Sequence, residues 1–155
     1  MTEELSNDQI DELLTSEIFG HLACVDGQKP YIIPLAFVFY GNSIYGQTTE
    51  GKKIDILRRN PNVCFQVQRQ TDHWKSVLCH GTFDELDFER LEQTEASMIV
   101  ELLTMRLGAI QQDVGISVPF GFTGRAAPLS VNEKKSTLFR ILISEKTGRQ
   151  FSAVT

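Results

Sequence analysis

The residues best suited to chemistry form the run Gln47-Thr48-Thr49-Glu50-Gly51-Lys52-Lys53. The run leads from the end of a predicted strand into the first turn of a predicted helix, where backbone N–H groups lack intrahelical partners and the positive end of the helix dipole lies. Two hydroxyls precede that turn, Gly51 permits close backbone approach, and Lys52 and Lys53 add positive charge, a combination suited to a phosphate group. The same composition also suits a plain helix start with solvated lysines, so local chemistry leaves both readings open.

Other reactive residue types do not assemble into a motif. His21, His73 and His80 fall on two strands and a turn and lack metal-ligand spacing. Cys24, Cys64 and Cys79 are too far apart for a paired-thiol motif, and each sits in an apolar, strand-like run, so they read as buried small side chains. Their odd number, with no leader-like segment, points to a reducing cytoplasm. No arrangement of Ser, His and Asp suggests hydrolysis, so any chemistry would come from a cofactor. The 20 acidic against 15 basic residues argue against a general nucleic-acid surface while leaving room for a local basic pocket. No apolar run approaches the roughly 18 residues of a membrane-spanning helix, so a soluble protein is expected.

The elements that must position the phosphate-like turn are mainly strands. Ser6 to Phe19 carries apolar residues at helical spacing (Ile10, Leu13, Leu14, Ile18), with Ser6 and Gln9 at capping-box spacing, and predicts a helix closed near Gly20. The runs from His21 to Val25, Tyr31 to Tyr40 and Ser43 to Gln47, punctuated at Asp26-Gly27 and Gly41-Asn42, predict a three-stranded meander. Pro34 cannot donate a ladder hydrogen bond, so its strand is expected at an edge, bulged or broken there. A short helix after Gly51, stopped by Asn60-Pro61, is followed by a hairpin of Val63 to Gln68 with Ser76 to Phe83.

Between Asp87 and Gln112 the residues Leu91, Met98, Ile99, Leu102, Leu103 and Leu107 have helical spacing, which could divide near Thr94. Residues 114–131 hold three glycines and two prolines and read as a loop; its Phe120, Phe122 and Arg125 suit either a substrate wall or a plain connection. A last strand from Leu138 to Ile143 is expected to end in a turn at Lys146-Thr147-Gly148. About six strands with few helices favour one mainly β domain over residues 1–155, an antiparallel closed or split barrel with peripheral helices.

The ordered segments Gly20-His21-Leu22-Ala23, Pro30-Tyr31-Ile32-Ile33-Pro34, Ile44-Tyr45, Gly51-Lys52-Lys53, Leu57-Arg58-Arg59-Asn60-Pro61-Asn62-Val63-Cys64-Phe65 and Trp74-Lys75-Ser76-Val77 resemble the FMN-binding split-barrel family related to pyridoxamine 5'-phosphate oxidase. They are most similar to its nitroimidazole-resistance-like branch, as is the ending Leu138-Phe139-Arg140-Ile141 with Thr147-Gly148-Arg149. Gly46-Gln47 stands where that branch often has an aromatic residue followed by histidine. The resemblance implies a six-stranded split barrel and a homodimer with FMN at its interface. It implies FMN phosphate contacts from Lys52 and Lys53, with Gln47, Thr48, Thr49 and Gly51 beside them. It further implies backbone contacts to the flavin ring from Pro34, Leu35, Ala36, Phe37 and Val38, and ring contacts from Ser76 and Gln66. Trp74 suits either a cover for the ring in a partner subunit or simple packing. The implied activity is an oxidoreductase passing electrons from NADH or NADPH to a small-molecule acceptor. A non-enzymatic FMN carrier or sensor, or the same barrel holding haem or a deazaflavin, stays open beside it.

Overall fold

The computed structural model describes residues 2–86, 93–114 and 136–152. The chain runs β1 (Thr2–Glu4), α1 (Asn7–Ser16), β2 (Phe19–Asp26), β3 (Lys29–Ala36), β4 (Val38–Tyr40), β5 (Ser43–Thr49), α2 (Lys52–Arg59), β6 (Asn62–Gln70), β7 (His73–Glu85), α3 (Gln93–Val114) and β8 (Ser136–Ser152). The described strands form a single antiparallel sheet of eight, ordered β3-β2-β6-β7-β8-β5-β4, with β1 added to β8. The mainly β, split-barrel architecture expected from the sequence is what forms, with eight strands rather than six because the short β1 and β4 pair as well.

Curvature of the sheet follows from one residue. The strands at the two ends of the path, β3 and β4, are separated in sequence only by Phe37. Consecutive Cα atoms lie about 3.8 Å apart, so Ala36 and Val38 cannot be more than about 7.6 Å from each other. The two ends must therefore meet, and the sheet must curl into a barrel. The three-stranded meander is corrected accordingly: β2 pairs β3 and β4 pairs β5, but these two hairpins sit at opposite ends of the path. Pro34 does lie on an end strand, paired with His21, while the interruption falls at Phe37.

Alternation along the strands fills the barrel. Leu22, Cys24, Ile33, Leu35, Phe65, Val67, Val77 and Cys79 point inward with Phe37, whose ring meets Phe65 edge-on at 4.9 Å between centroids. Each such large apolar side chain contributes roughly 1.5–3 kcal/mol on burial. Helix α1 adds Ile10, Leu13 and Leu14 to this core, and its start is the expected capping box: the Ser6 N–H donates to Gln9 Oε1 at 2.8 Å and the Gln9 N–H to Ser6 Oγ at 3.2 Å. Ile99 and Leu103 of α3 form a smaller cluster with Val38, Tyr45 and Leu138.

Two glycines read as punctuation are in fact points of close packing. Helix α1 ends at Ser16 with Glu17 as its cap, and Gly20 lies inside β2, where an added Cβ would stand 2.3 Å from the Phe65 ring. Lys146-Thr147-Gly148 is not a turn but continuous β8, and a Cβ at Gly148 would meet Leu5 and Ile10 at 2.9 Å. Helix α3 begins at Gln93, beside the division considered near Thr94, and residues 87–92 of the expected helical stretch, Leu91 among them, lie outside the described residues. The 114–131 loop reading, with Phe120, Phe122 and Arg125, falls outside the described residues beyond Val114. Cys24 and Cys79 are buried as expected; Cys64 is half-buried, its Sγ 3.2 Å from His80 Nδ1. No group of three or more metal-ligating side chains occurs among the described residues, and no described helix is long and apolar enough to cross a membrane.

Candidate functional site

At Phe37 a seam interrupts the pairing of the described strands. β4 and β5 pair only as far as Val38 opposite Tyr45, while β5 continues to Thr49, held on its other side by β8 through Thr49 opposite Ser136. On the far side of the seam β3 pairs, among the described strands, with β2 alone. Beyond Tyr45, no described strand covers the facing edges of residues 34–37 and 46–49. Such edges present backbone donors and acceptors in a row. Side chains of this stretch serve the fold: Leu35 and Phe37 enter the main core, Val38 the smaller one, Ala36 is buried, and Pro34 is exposed. Contacts from residues 34–38 to a ligand would thus be made chiefly by backbone.

Gly46, in the same stretch of β5, admits a core side chain. A Cβ there would stand 2.7 Å from Cζ of Phe139, its partner across β8, so the buried Phe139 ring occupies the space a side chain at 46 would need. Gln47 and Thr48, at 1% and 8% exposure, are built into the wall; Thr49 ends β5.

β5 delivers the chain to α2 through Glu50 and Gly51. Gly51 caps the helix with extended backbone and supplies no side-chain acceptor; the first helical bond runs from the Asp55 N–H to the Gly51 carbonyl at 3.2 Å. A Cβ on Gly51 would meet nothing within 4 Å, so the space before the helix is open. Lys53 is half-buried, and burial pulls its ammonium below the usual lysine range. Lys52 is exposed, with Nζ 5.2 Å from the Tyr31 ring centroid, and its hydrogen bond with Tyr31 raises its pKa. A helix start with two lysines on its first turn forms a donor set that fits a phosphate.

Glu50, an anion beside this turn, is paired with a side chain the sequence does not single out. Arg58, one of the four basic residues of Lys52 to Arg59, donates from Nη1 to Glu50 Oε2 at 3.0 Å and from Nη2 to Glu50 Oε1 at 2.8 Å. It also reaches Glu85 through Nε at 2.9 Å and Nη2 at 2.7 Å, while Thr137 Oγ1 donates to Glu50 at 3.2 Å. Both carboxylates hold the guanidinium charged, far above the ordinary arginine range. The partners lie 8 and 27 positions from Arg58 in sequence, so no local spacing rule announces them.

Gln66 and Ser76 come together elsewhere, on the outward face of β6 and β7. Gln66 Nε2 donates to Ser76 Oγ at 3.3 Å and to Gln68 Oε1 at 3.2 Å. The register aligns Pro34 with His21 and His21 with Gln66, which puts this pair on Pro34's face, two strands from the seam. Trp74 at the start of β7 is 47% exposed, 6.1 Å from the Phe151 ring.

Comparison with known proteins agrees with this architecture. A Mesorhizobium loti structure described as an FAD-binding protein is 27% identical and superposes with a TM-score of 0.74, covering 99% of this chain and 98% of that one. An FAD-binding protein from Mycobacterium smegmatis (19% identity, TM-score 0.63, 96% and 97% covered) and a 5-nitroimidazole antibiotic resistance candidate from Bacteroides thetaiotaomicron (16%, 0.67, 97% and 88%) share the fold. An uncharacterized protein of Rhizobium meliloti is 32% identical over 84 residues, a match spanning 53% of this chain and 56% of that protein. The sequence profile of the pyridoxamine 5'-phosphate oxidase family matches residues 6–113, and the chain belongs to that family.

Proposed function

We propose that this chain is a flavoprotein that binds FMN and acts as an oxidoreductase, passing electrons from NADH or NADPH to a small acceptor. The observation that carries this reading is the continuity of the seam with the start of α2: the strand edges at 34–37 and 46–49, which no described strand pairs across the seam, lead directly to Gly51, Lys52 and Lys53. A flavin needs a slot for its ring, a few placed donors for the ring heteroatoms and an anion site for its phosphate. In this reading the start of α2 with Lys52 and Lys53 holds the phosphate, Arg58 offsets part of the opposing charge of Glu50, and the backbone of Pro34 to Val38 orients the ring. When bound, the flavin supplies the hydride and electron chemistry; the protein's residues bind, orient and tune.

A homodimer belongs to the same proposal. Ile32 (72% exposed), Trp74, Leu78 and Phe151 are large apolar side chains exposed at the surface, and a second copy would cover them. Gln66 and Ser76 would then face a flavin held by the partner subunit. The three free cysteines are consistent with a cytoplasmic location.

Titration of FMN against the purified protein, followed by quenching of flavin fluorescence, tests the reading. Lys52→Ala with Lys53→Ala should weaken FMN binding by on the order of 2–4 kcal/mol. No quenching by the unaltered protein removes the flavin assignment, and unchanged affinity in the double variant removes the phosphate site. Anaerobic mixing of the FMN complex with NADH or NADPH separates enzyme from carrier: bleaching on a catalytic timescale supports the oxidoreductase, and no reduction assigns a carrier.

A further inference from the structure

On the outward face of β6 and β7 a thiol is paired with an imidazole. Cys64 and His80 stand directly opposite each other, and Cys64 Sγ lies 3.2 Å from His80 Nδ1. Glu145 of β8 is opposite His80 in turn, so a nucleophile, a base and a carboxylate follow one another across three neighbouring strands. His80 sits at a bulge: the register of β7 and β8 shifts between His80 and Gly81, and the His80 carbonyl accepts from Ser144 Oγ at 3.1 Å. Gly81 keeps that bulge tight, since a Cβ there would stand 2.5 Å from the Leu142 carbonyl oxygen. Bulges of this kind re-aim a side chain. On the other flank of Cys64 the opposite residue of β2 is Ala23, which carries only a methyl beside the half-buried thiol. Cys24 and Cys79 differ on each count: both are buried in the core, and burial pushes both thiols above the ordinary range.

We propose that Cys64 is a site of reversible oxidation by small hydroperoxides, with His80 as its base. The thiol donates to Nδ1 when the imidazole carries its own proton on Nε2, and His80 is exposed to solvent. In the reaction His80 takes the thiol proton, the sulfur attacks one peroxide oxygen, an S–O bond forms and the O–O bond breaks. Sulfur loses two electrons and the peroxide gains them. The departing hydroxide takes the proton from His80 and leaves as water, and Cys64 becomes a sulfenic acid, which a small thiol in solution can reduce again. A half-buried thiol beside a methyl admits a small oxidant and hinders a bulky one. The other two cysteines belong to the barrel core, so the sulfenic acid meets no thiol of its own chain on this face.

The test treats the intact chain with hydrogen peroxide at several chain concentrations, traps sulfenic acid with a 1,3-dione and maps the adduct by mass spectrometry. The expected adduct is on Cys64, with Cys24 and Cys79 unmodified in the same molecules. At pH 7 an ordinary thiol is only about 3% ionised, so Cys64 should react roughly tenfold faster in the folded chain than in the chain unfolded by urea, and His80→Gln should remove that advantage. Near pH 10, where a thiol ionises without a base, the variant and the parent should converge in rate, which a loss of packing at position 80 would not produce. A folded chain in which Cys64 reacts no faster than in the unfolded one overturns the proposal without recourse to any variant, and so does a His80→Gln protein as fast as its parent at pH 7. Ile32 stands opposite Ala23 in the same row, so a second copy seated on Ile32 would shield Cys64. Protection at every concentration tested therefore also overturns the site, and leaves the flavin and homodimer readings standing.

Discussion

Arg58→Gln should weaken flavin binding without unfolding the barrel. The Arg58, Glu50 and Glu85 side chains are 38%, 34% and 39% exposed, so solvent screens each ion pair and its loss costs at most about 1 kcal/mol of stability. The effect on binding is larger, because removing the guanidinium uncovers the Glu50 carboxylate beside the phosphate turn. A unit charge about 7 Å from a phosphate dianion, at an effective dielectric of about 40, repels it by about 2.4 kcal/mol before screening by salt. With a Debye length of about 8 Å at 0.15 M, about 1 kcal/mol remains, a loss of about fivefold; at 0.01 M it grows to about 25-fold. FMN titration at the two ionic strengths measures both numbers. Glu50→Gln added to Arg58→Gln should restore most of the affinity. If the double variant binds as weakly as the single one, or the loss ignores salt, Arg58 acts by holding backbone shape, and the charge argument is wrong.

Gly46→Ala should lower Tm by roughly 2–10 °C, because its Cβ would lie 2.7 Å from the buried Phe139 ring; a thermal melt unchanged from the parent would show that the ring yields freely. Cys79 gives an alkaline signature: burial pushes its thiol up to about 12 in the folded state from 9.0. Its contribution is therefore complete below pH 9 and is lost as pH rises toward 12, because only the unfolded thiol ionises in that window. Cys79→Ala, though less stable overall, should flatten the fall in urea-unfolding free energy between pH 9 and 11 by up to about 1.4 kcal/mol per pH unit, and equal slopes would count against the burial. Ser76→Ala should shift the absorption bands of bound FMN and cost about 1 kcal/mol of affinity, as expected for one lost hydrogen bond; identical spectra and affinity would detach Ser76 from the ring.

Local signals were readable in the sequence wherever a few neighbouring residues decide the structure. The Ser6–Gln9 capping box, the α2 stop at Asn60-Pro61 and the β6–β7 hairpin are of this kind. Gly20 and Gly148 misled because a glycine that ends a helix and one that admits a neighbouring side chain look alike in one dimension; only the positions of Phe65, Leu5 and Ile10 tell them apart. The meander failed for a related reason: nothing local in Leu35-Ala36-Phe37-Val38 says that its halves hydrogen-bond to different ends of a sheet. In the candidate site, the start of α2 after Gly51 is legible from composition, whereas Arg58 with Glu85 and Lys52 with Tyr31 depend on pairings across the fold.

Strand β8 has a consequence for the order in which the molecule is made. It lies between β7 and β5, so before residues 136–152 leave the ribosome the barrel exists as two pieces, β3-β2-β6-β7 and β4-β5, tethered through Phe37. At a synthesis rate of about 5–20 residues per second, the inner edges of β7 and β5 wait for seconds without the strand that joins them. Closure is a late event, and the nascent chain passes through a stage with two open edges side by side, the stage at which misassembly with a neighbouring copy competes with folding.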